Sequence, residues 1–179
     1  MINEILDYNK AFVEHGDFEP YRTSKFPNKK LAIVTCMDTR LTELLPAALG
    51  LKNGDAKIIK NAGGVISHPF GSAVRSLLIA IYELGITDIM VIGHTDCGVQ
   101  HMDGKRMLCD MRDRGVSEKN IRMVEYFGVN LEQWLAGFED VALAVASSVA
   151  LLQNHPLIPA DVQIYGFVMD SVTGGLERV

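Results

Sequence analysis

The sequence predicts an α/β fold: a mostly parallel four-stranded sheet with helices on both faces and a C-terminal antiparallel edge strand. Three observations predict it. Three short apolar runs, over 31–36, 88–92 and 162–169, are continuous or nearly so, as in strands buried on both faces, and 56–60 reads as a fourth strand. Segments with helical spacing separate them, the alternation that builds parallel sheets. Thr173-Gly174-Gly175 then follows the last run, a turn that lets the final residues come back antiparallel.

Taken in order, residues 2–15 place Ile2, Ile5, Leu6, Phe12 and Val13 three and four apart, an amphipathic helix. A polar linker, Asp17 to Lys30, separates it from the first strand, Leu31 to Cys36. That helix needs another surface for its apolar face, in its own domain or on a second subunit. A helical segment limited by Pro46 and Gly50 follows the strand. Ala56 to Lys60 is the second strand, and Asn61-Ala62-Gly63-Gly64 is a turn tight enough for backbone to pass close to a neighbour. Ser72 to Leu84 is apolar on most sides, a buried helix that Gly85 stops. Asp88 to Ile92 is the third strand. Residues 102–135 read as short helices of weak periodicity, Val141 to Leu152 as a helix and Val162 to Met169 as the fourth strand. No repeat or composition break divides the chain, so residues 1–179 form one domain, with 1–30 as its N-terminal helix and linker.

Composition narrows the function. Of 179 residues, 48% are hydrophobic and 22% charged, and the net charge is −5, which argues against nucleic-acid binding because no basic block offsets it. No apolar run approaches the ~18 residues of a membrane span. Met1 to Phe12 carries Glu4 and Asp7 and lacks the basic start and apolar centre of a signal peptide, so a cytoplasmic, reducing location is expected. There Cys36, Cys97 and Cys109 are thiols or metal ligands rather than disulfide partners.

Chemistry collects at two strand ends. The third strand leads into His94-Thr95-Asp96-Cys97-Gly98, and the first into Cys36-Met37-Asp38-Thr39-Arg40. Cys36, His94 and Cys97 supply two thiolates and an imidazole, donors that suit Zn2+. No fourth Cys or His is spaced to close the site, and three ligands with one open position is the catalytic pattern. In parallel sheets function gathers at the carboxyl ends of strands. The bland alternative is two small buried hydrophobes and a satisfied core histidine; the coincidence at two strand ends weighs against it. Asp38 and Arg40, two apart on extended backbone, share a face, so Arg40 can grip the Asp38 carboxylate. Asp38 is then either a fourth metal ligand or a group held off by Arg40; a surface ion pair or a helix cap is the alternative.

These residues resemble the β-class carbonic anhydrases, and their order and spacing match over roughly residues 30–100. Cys36-x-Asp38-x-Arg40, the Asn61-Ala62-Gly63 turn and His94-Thr95-Asp96-Cys97-Gly98 carry the resemblance. Gly166-Phe167-Val168-Met169-Asp170 with Thr173-Gly174 is similar to the shorter, compact members. The resemblance implies one Zn2+ per subunit on Cys36, His94 and Cys97, interconversion of CO2 and bicarbonate, and an Asp38–Arg40 dyad that gates the open position. It also implies a homodimer, or a higher assembly of dimers, whose N-terminal helix wraps the neighbour. Larger members carry a tryptophan before the first motif, in a non-catalytic bicarbonate pocket. Val34-Thr35 stands there and the single tryptophan is Trp134, so inhibition through that pocket is not expected.

Other residues carry less. His68 and His101 are candidates for proton export, although exposed loop histidines are the favoured reading. Asp96 reads as a cap or as support for the site, Cys109 as a packed thiol, and Arg75 as half of a structural ion pair. The rival functions are a zinc hydrolase of carbon disulfide or carbonyl sulfide, a zinc-bearing regulatory protein without turnover, and a thiol redox protein.

Overall fold

A computed structural model describes residues 1–179. Its strands are β1 (Leu31–Cys36), β2 (Ala56–Asn61), β3 (Asp88–His94), β4 (Gln163–Met169) and β5 (Leu176–Arg178). They form one sheet in the order β2-β1-β3-β4-β5, parallel except for β5, which returns antiparallel beside β4. The helices are α1 (Ile2–Glu14), α2 (Leu41–Ala48), α3 (Ser72–Leu84), α4 (Gly104–Asp113), α5 (Glu118–Tyr126), α6 (Leu131–Leu135) and α7 (Val141–Gln153). The expected class and the antiparallel edge strand are both present.

The continuous apolar runs become strands because both sheet faces are covered. Ala32, Val34, Ile89 and Val91 face α3 and α7, against Val74, Leu77, Ile81, Val145 and Leu152. On the other face Leu41 and Leu45 of α2 meet Ile33, Ile92 and Met169. Burying a side chain of this size stabilises the fold by about 1.5–3 kcal/mol. The weakly periodic stretch resolves into α4, α5 and α6, which contribute Leu108, Ile121 and Leu131 to a small separate cluster. Each short helix buries little, so its apolar spacing is faint in sequence.

Several local expectations change. α2 runs through Pro46 to Ala48; the chain leaves it at Gly50, whose φ is +62°. α3 stops at Gly85 as expected, in the left-handed conformation, but Ile79 and Tyr82 are exposed, so the helix is not buried all round. Arg75 lies exposed on α3 and forms no ion pair within the chain. β3 continues past Ile92, so His94 is the last residue of the strand itself. No helix is long and apolar enough to cross a membrane.

Two features of the fold carry functional weight. β1 connects to β2 on one side while β3 lies on its other side, so strand order reverses between β1 and β3. A crevice opens at their carboxyl ends, where ligands bind in open α/β sheets. The second feature is α1, which buries none of its residues: Ile2, Ile5, Leu6 and Val13 are 62%, 59%, 60% and 56% exposed.

Candidate metal centre

The crevice brings together the three residues that the sequence singles out. Cys36 ends β1, His94 ends β3, and Cys97 sits in the turn after β3; all three are buried. Their ligand atoms lie within 4.8 Å of one another. The two sulfurs are 3.8 Å apart. Zinc–thiolate bonds of about 2.3 Å at a tetrahedral angle put two sulfurs about 3.8 Å apart, so the spacing is that of a tetrahedron's edge.

His94 has no exposed surface, and its ring orientation is fixed. Nδ1 lies 2.9 Å from the Thr95 carbonyl, which can only accept, so Nδ1 carries the proton and donates. Nε2 is therefore an unprotonated acceptor turned into the cluster, and it is buried without any hydrogen-bond partner. An orphaned buried nitrogen is costly unless something binds it. Facing two sulfurs at tetrahedral spacing, a soft or borderline cation fits, and the donor set suits zinc.

The electrostatics agree. Burial opposes ionisation of Cys36, but the neighbouring His94 ring, the backbone N–H groups of Asp38 and Gly63, and Cys97 outweigh it and lower the thiol to about 7. Burial, then the charge on Cys36, pushes Cys97 up, against hydrogen bonds from the Val99 and Gln100 backbone. His94 is raised, chiefly by the adjacent Cys36 sulfur. Cys36 and His94 thus favour positive charge at the centre of the cluster, whereas burial opposes ionisation of Cys97.

The turn 61–64 explains how the strands approach so closely. Gly63 and Gly64 both have positive φ, +84° and +66°. A Cβ on Gly64 would lie 2.7 Å from the Cys36 backbone nitrogen and 2.9 Å from the Ile92 carbonyl oxygen. The glycine turn therefore packs directly on the ends of β1 and β3, as its sequence suggests.

Asp38 and Arg40 pair as expected, but by a different route. Arg40 has helical φ and ψ at the start of α2, so the two residues are not on extended backbone. Instead the chain turns, the Arg40 backbone N–H donates to Asp38 Oδ1 at 2.9 Å, and the guanidinium closes on both carboxylate oxygens at 3.0 and 2.9 Å. That bidentate grip holds Asp38 down to about 2. Asp38 Oδ2 lies 3.9 Å from His94 Nε2, beside the open side of the cluster. Its folded value is below the ordinary one, so the pair stabilises the fold above about pH 4, and that contribution is lost as pH falls towards 2. Arg40→Gln is expected to let Asp38 titrate in the ordinary carboxylate range, which NMR of the side-chain carboxyl measures. An unchanged low value would show that something other than the guanidinium holds it.

Sequence reasoning missed the second partner of Arg40. Its Nη1 donates to Asp96 Oδ2 at 2.9 Å and its Nη2 to the Asp96 carbonyl at 2.8 Å. No spacing rule links positions 40 and 96; only the adjacency of β1 and β3 could have suggested it. The other candidates lie apart from the cluster. His68 Nδ1 accepts from the Phe70 backbone N–H at 3.0 Å, and His101 pairs with Glu139 at 2.8 Å, exposed to solvent. Cys109 is exposed on α4, so it is not the packed thiol expected; it points outward where Leu108 points in. Trp134 is also exposed.

Comparisons with known proteins agree with this geometry. The profile of the family described as carbonic anhydrase matches residues 31–176. The Bacillus subtilis (strain 168) protein YtiB, which carries a provisional carbonic anhydrase name, is 48% identical over 100% of this chain and 96% of its own length. The carbon disulfide hydrolase of Acidianus sp. (strain A1-3) is 30% identical over 99% of this chain and 90% of its own. Among solved structures, the β-carbonic anhydrase isoform I of Trichomonas vaginalis superposes with a TM-score of 0.88 at 32% identity, covering 99% of this chain and 96% of that one.

Proposed function

Since the chain belongs to the β-carbonic anhydrase family, we propose that it interconverts CO2 and bicarbonate with one zinc ion held by Cys36, His94 and Cys97. The observation that carries the reading is the buried, unpartnered His94 Nε2 turned towards two sulfurs at tetrahedral spacing. Held by these residues, zinc would supply Lewis-acid activation of water, a nucleophile for the carbon of CO2.

The chain's own residues do the rest. The Thr95 carbonyl orients the His94 ring and sets its tautomer. Backbone N–H groups of Asp38 and Gly63 stabilise the Cys36 thiolate. Arg40 holds the Asp38 carboxylate to one side, so the open side of the cluster is left to water and substrate. Without that grip Asp38 would be free to compete for the same place.

The experiment is metal analysis with stopped-flow CO2 hydration, before and after chelation. One zinc per chain and activity lost on chelation, then regained with zinc, are expected. A second reading is hydrolysis of carbon disulfide or carbonyl sulfide, which the Acidianus relative favours. Sulfide release measured on the same preparation separates the two. Hydration no faster than the uncatalysed rate, with zinc bound, would reject the first.

Assembly is the remaining element of the proposal. The apolar face of α1 is uncovered. A groove of about 400 Å³ crosses the sheet face that the short α2 leaves open; Leu31, Met90, Tyr165 and Phe167 line it, with Lys29, Asp88 and Arg178 beside them. α1 carries Glu4, Asp7 and Glu14 against Lys10, a net negative charge opposite in sign to the groove, where Lys29 and Arg178 outnumber Asp88. We assign α1 to the surface of a second copy, in a homodimer. Deleting residues 2–14 should turn a dimer into a monomer in sedimentation velocity; a dimer that survives the deletion would refute the assignment. Three free thiols suit a reducing, cytoplasmic location.

A further inference from the structure

Asp96 lies between His94 and Cys97, on the turn that carries both, with φ at +53°. An L residue keeps that conformation only where its surroundings hold it, and aspartate is among those that tolerate it best. What holds it is Arg40. One guanidinium edge grips both oxygens of Asp38 at 3.0 and 2.9 Å. The remaining donors reach the Asp96 carboxylate at 2.9 Å and the Asp96 carbonyl at 2.8 Å. One planar side chain from the turn after β1 thus fastens the turn after β3.

The Asp96 carboxylate bonds to no backbone N–H, so it does not cap its own turn; Arg40 is its partner. It is 86% exposed, and an ion pair that open adds little stability. What it supplies is direction. A rigid fork fixed at two edges cannot swing away from Asp38, whereas one fixed at a single edge can.

We infer that Asp96 is a positioning residue: it aligns Arg40, and through Arg40 it fixes where the Asp38 carboxylate stands beside the open side of the cluster. The inference rests on the reading of Cys36, His94 and Cys97 as metal ligands. It adds a role for a side chain that touches neither their donor atoms nor the substrate. Loss of the Asp96 carboxylate leaves only the Asp96 carbonyl to hold the far side of the guanidinium, so Arg40 is looser and Asp38 freer to move onto the metal. The consequence is slower turnover without weaker substrate binding.

The test compares wild type, Asp96→Gly, Arg40→Gln and the double variant. Glycine suits the positive φ, so Asp96→Gly removes the carboxylate without straining the turn. Two readouts are used: kcat and KM for CO2 hydration, and the visible absorption spectrum of the cobalt-loaded protein, which reports a change of donors. Asp96→Gly should lower kcat about tenfold, the low end for partners that orient a metal site, with KM little changed, and should alter the cobalt spectrum. Asp96→Asn, which keeps an acceptor oxygen and tolerates the same φ, should recover most of both. In the Arg40→Gln background Asp96→Gly should add nothing, since coupled residues are non-additive. An effect of equal size in that background, or none in wild type, overturns the inference. A wild type without CO2 turnover would count against the proposed reaction, while the cobalt spectra would still decide the role of Asp96.

Discussion

Cys36→Ser is expected to leave the protein folded but without retained zinc, with CO2 hydration close to the uncatalysed rate. The serine hydroxyl is isosteric enough to keep the end of β1 in place, and Cys36 is only 3% exposed, so the core around Ile33 and Leu41 is little disturbed. What is lost is the thiol that the site lowers to about 7. A serine hydroxyl in the same place stays protonated and is a poor zinc ligand. Losing a hydrogen-bonding partner of a metal ligand costs about 10–100-fold in affinity or activity, and losing a ligand should exceed that. Metal content by emission spectrometry and stopped-flow hydration measure the two halves. Full zinc occupancy with hydration within about threefold of wild type, well inside that range, would exclude Cys36 as a ligand.

The second large effect falls on stability. Gly64→Ala should destabilise the fold by about 3 kcal/mol or more, the sum of left-handed strain and overpacking. The new Cβ would meet backbone, not the flexible end of a side chain: Cys36 N at 2.7 Å, Ile92 O at 2.9 Å and Thr35 C at 2.9 Å. These atoms belong to the two central strands, which pair with each other along Leu31–Thr35 and Asp88–Ile92 and cannot retreat without parting. Gly85→Ala is the control. Its φ is +69°, but nothing lies within 4 Å of the added carbon, so only the strain of about 1 kcal/mol should appear. For a chain of this size the Gly64 variant should melt roughly 6–12 °C lower. Equal effects at the two glycines would mean that the turn does not bear on the strand ends as described.

That glycine also illustrates what a linear reading can recover. Asn61-Ala62-Gly63-Gly64 announces a close approach of backbone, because few other residues reach positive φ cheaply. It does not say what is approached; the answer, the ends of β1 and β3, needs the sheet order. The same holds at the cluster. Cys36, His94 and Cys97 are legible because strand ends and donor chemistry coincide, and those two signals are local. The link from Arg40 to Asp96 is not, since it joins positions 56 apart through a pairing that no periodicity encodes. The pairing of Asp38 with Arg40 is legible for the wrong reason: the backbone between them turns, and the carboxylate bonds both the Arg40 N–H and its side chain.

Strand identity is clear wherever burial is complete on both faces, as in Ala32, Ile33 and Val34. It is least clear over 102–135, where three helices share a cluster of three buried residues and amphipathic spacing has few turns in which to register. Cys109 shows the limit of reading burial from neighbours: Leu108 beside it is buried, and one step around a helix turns the thiol to solvent. For α1 the apolar stripe is legible, and its lack of a covering surface within one chain is not.

Zinc-edge X-ray absorption on the purified protein tests most directly whether Cys36, His94 and Cys97 hold the metal. One zinc bound by two sulfurs at about 2.3 Å, one imidazole nitrogen at about 2.0–2.1 Å and one lighter donor is the predicted result. A zinc shell without sulfur, or one completed by three or more sulfurs, would contradict it.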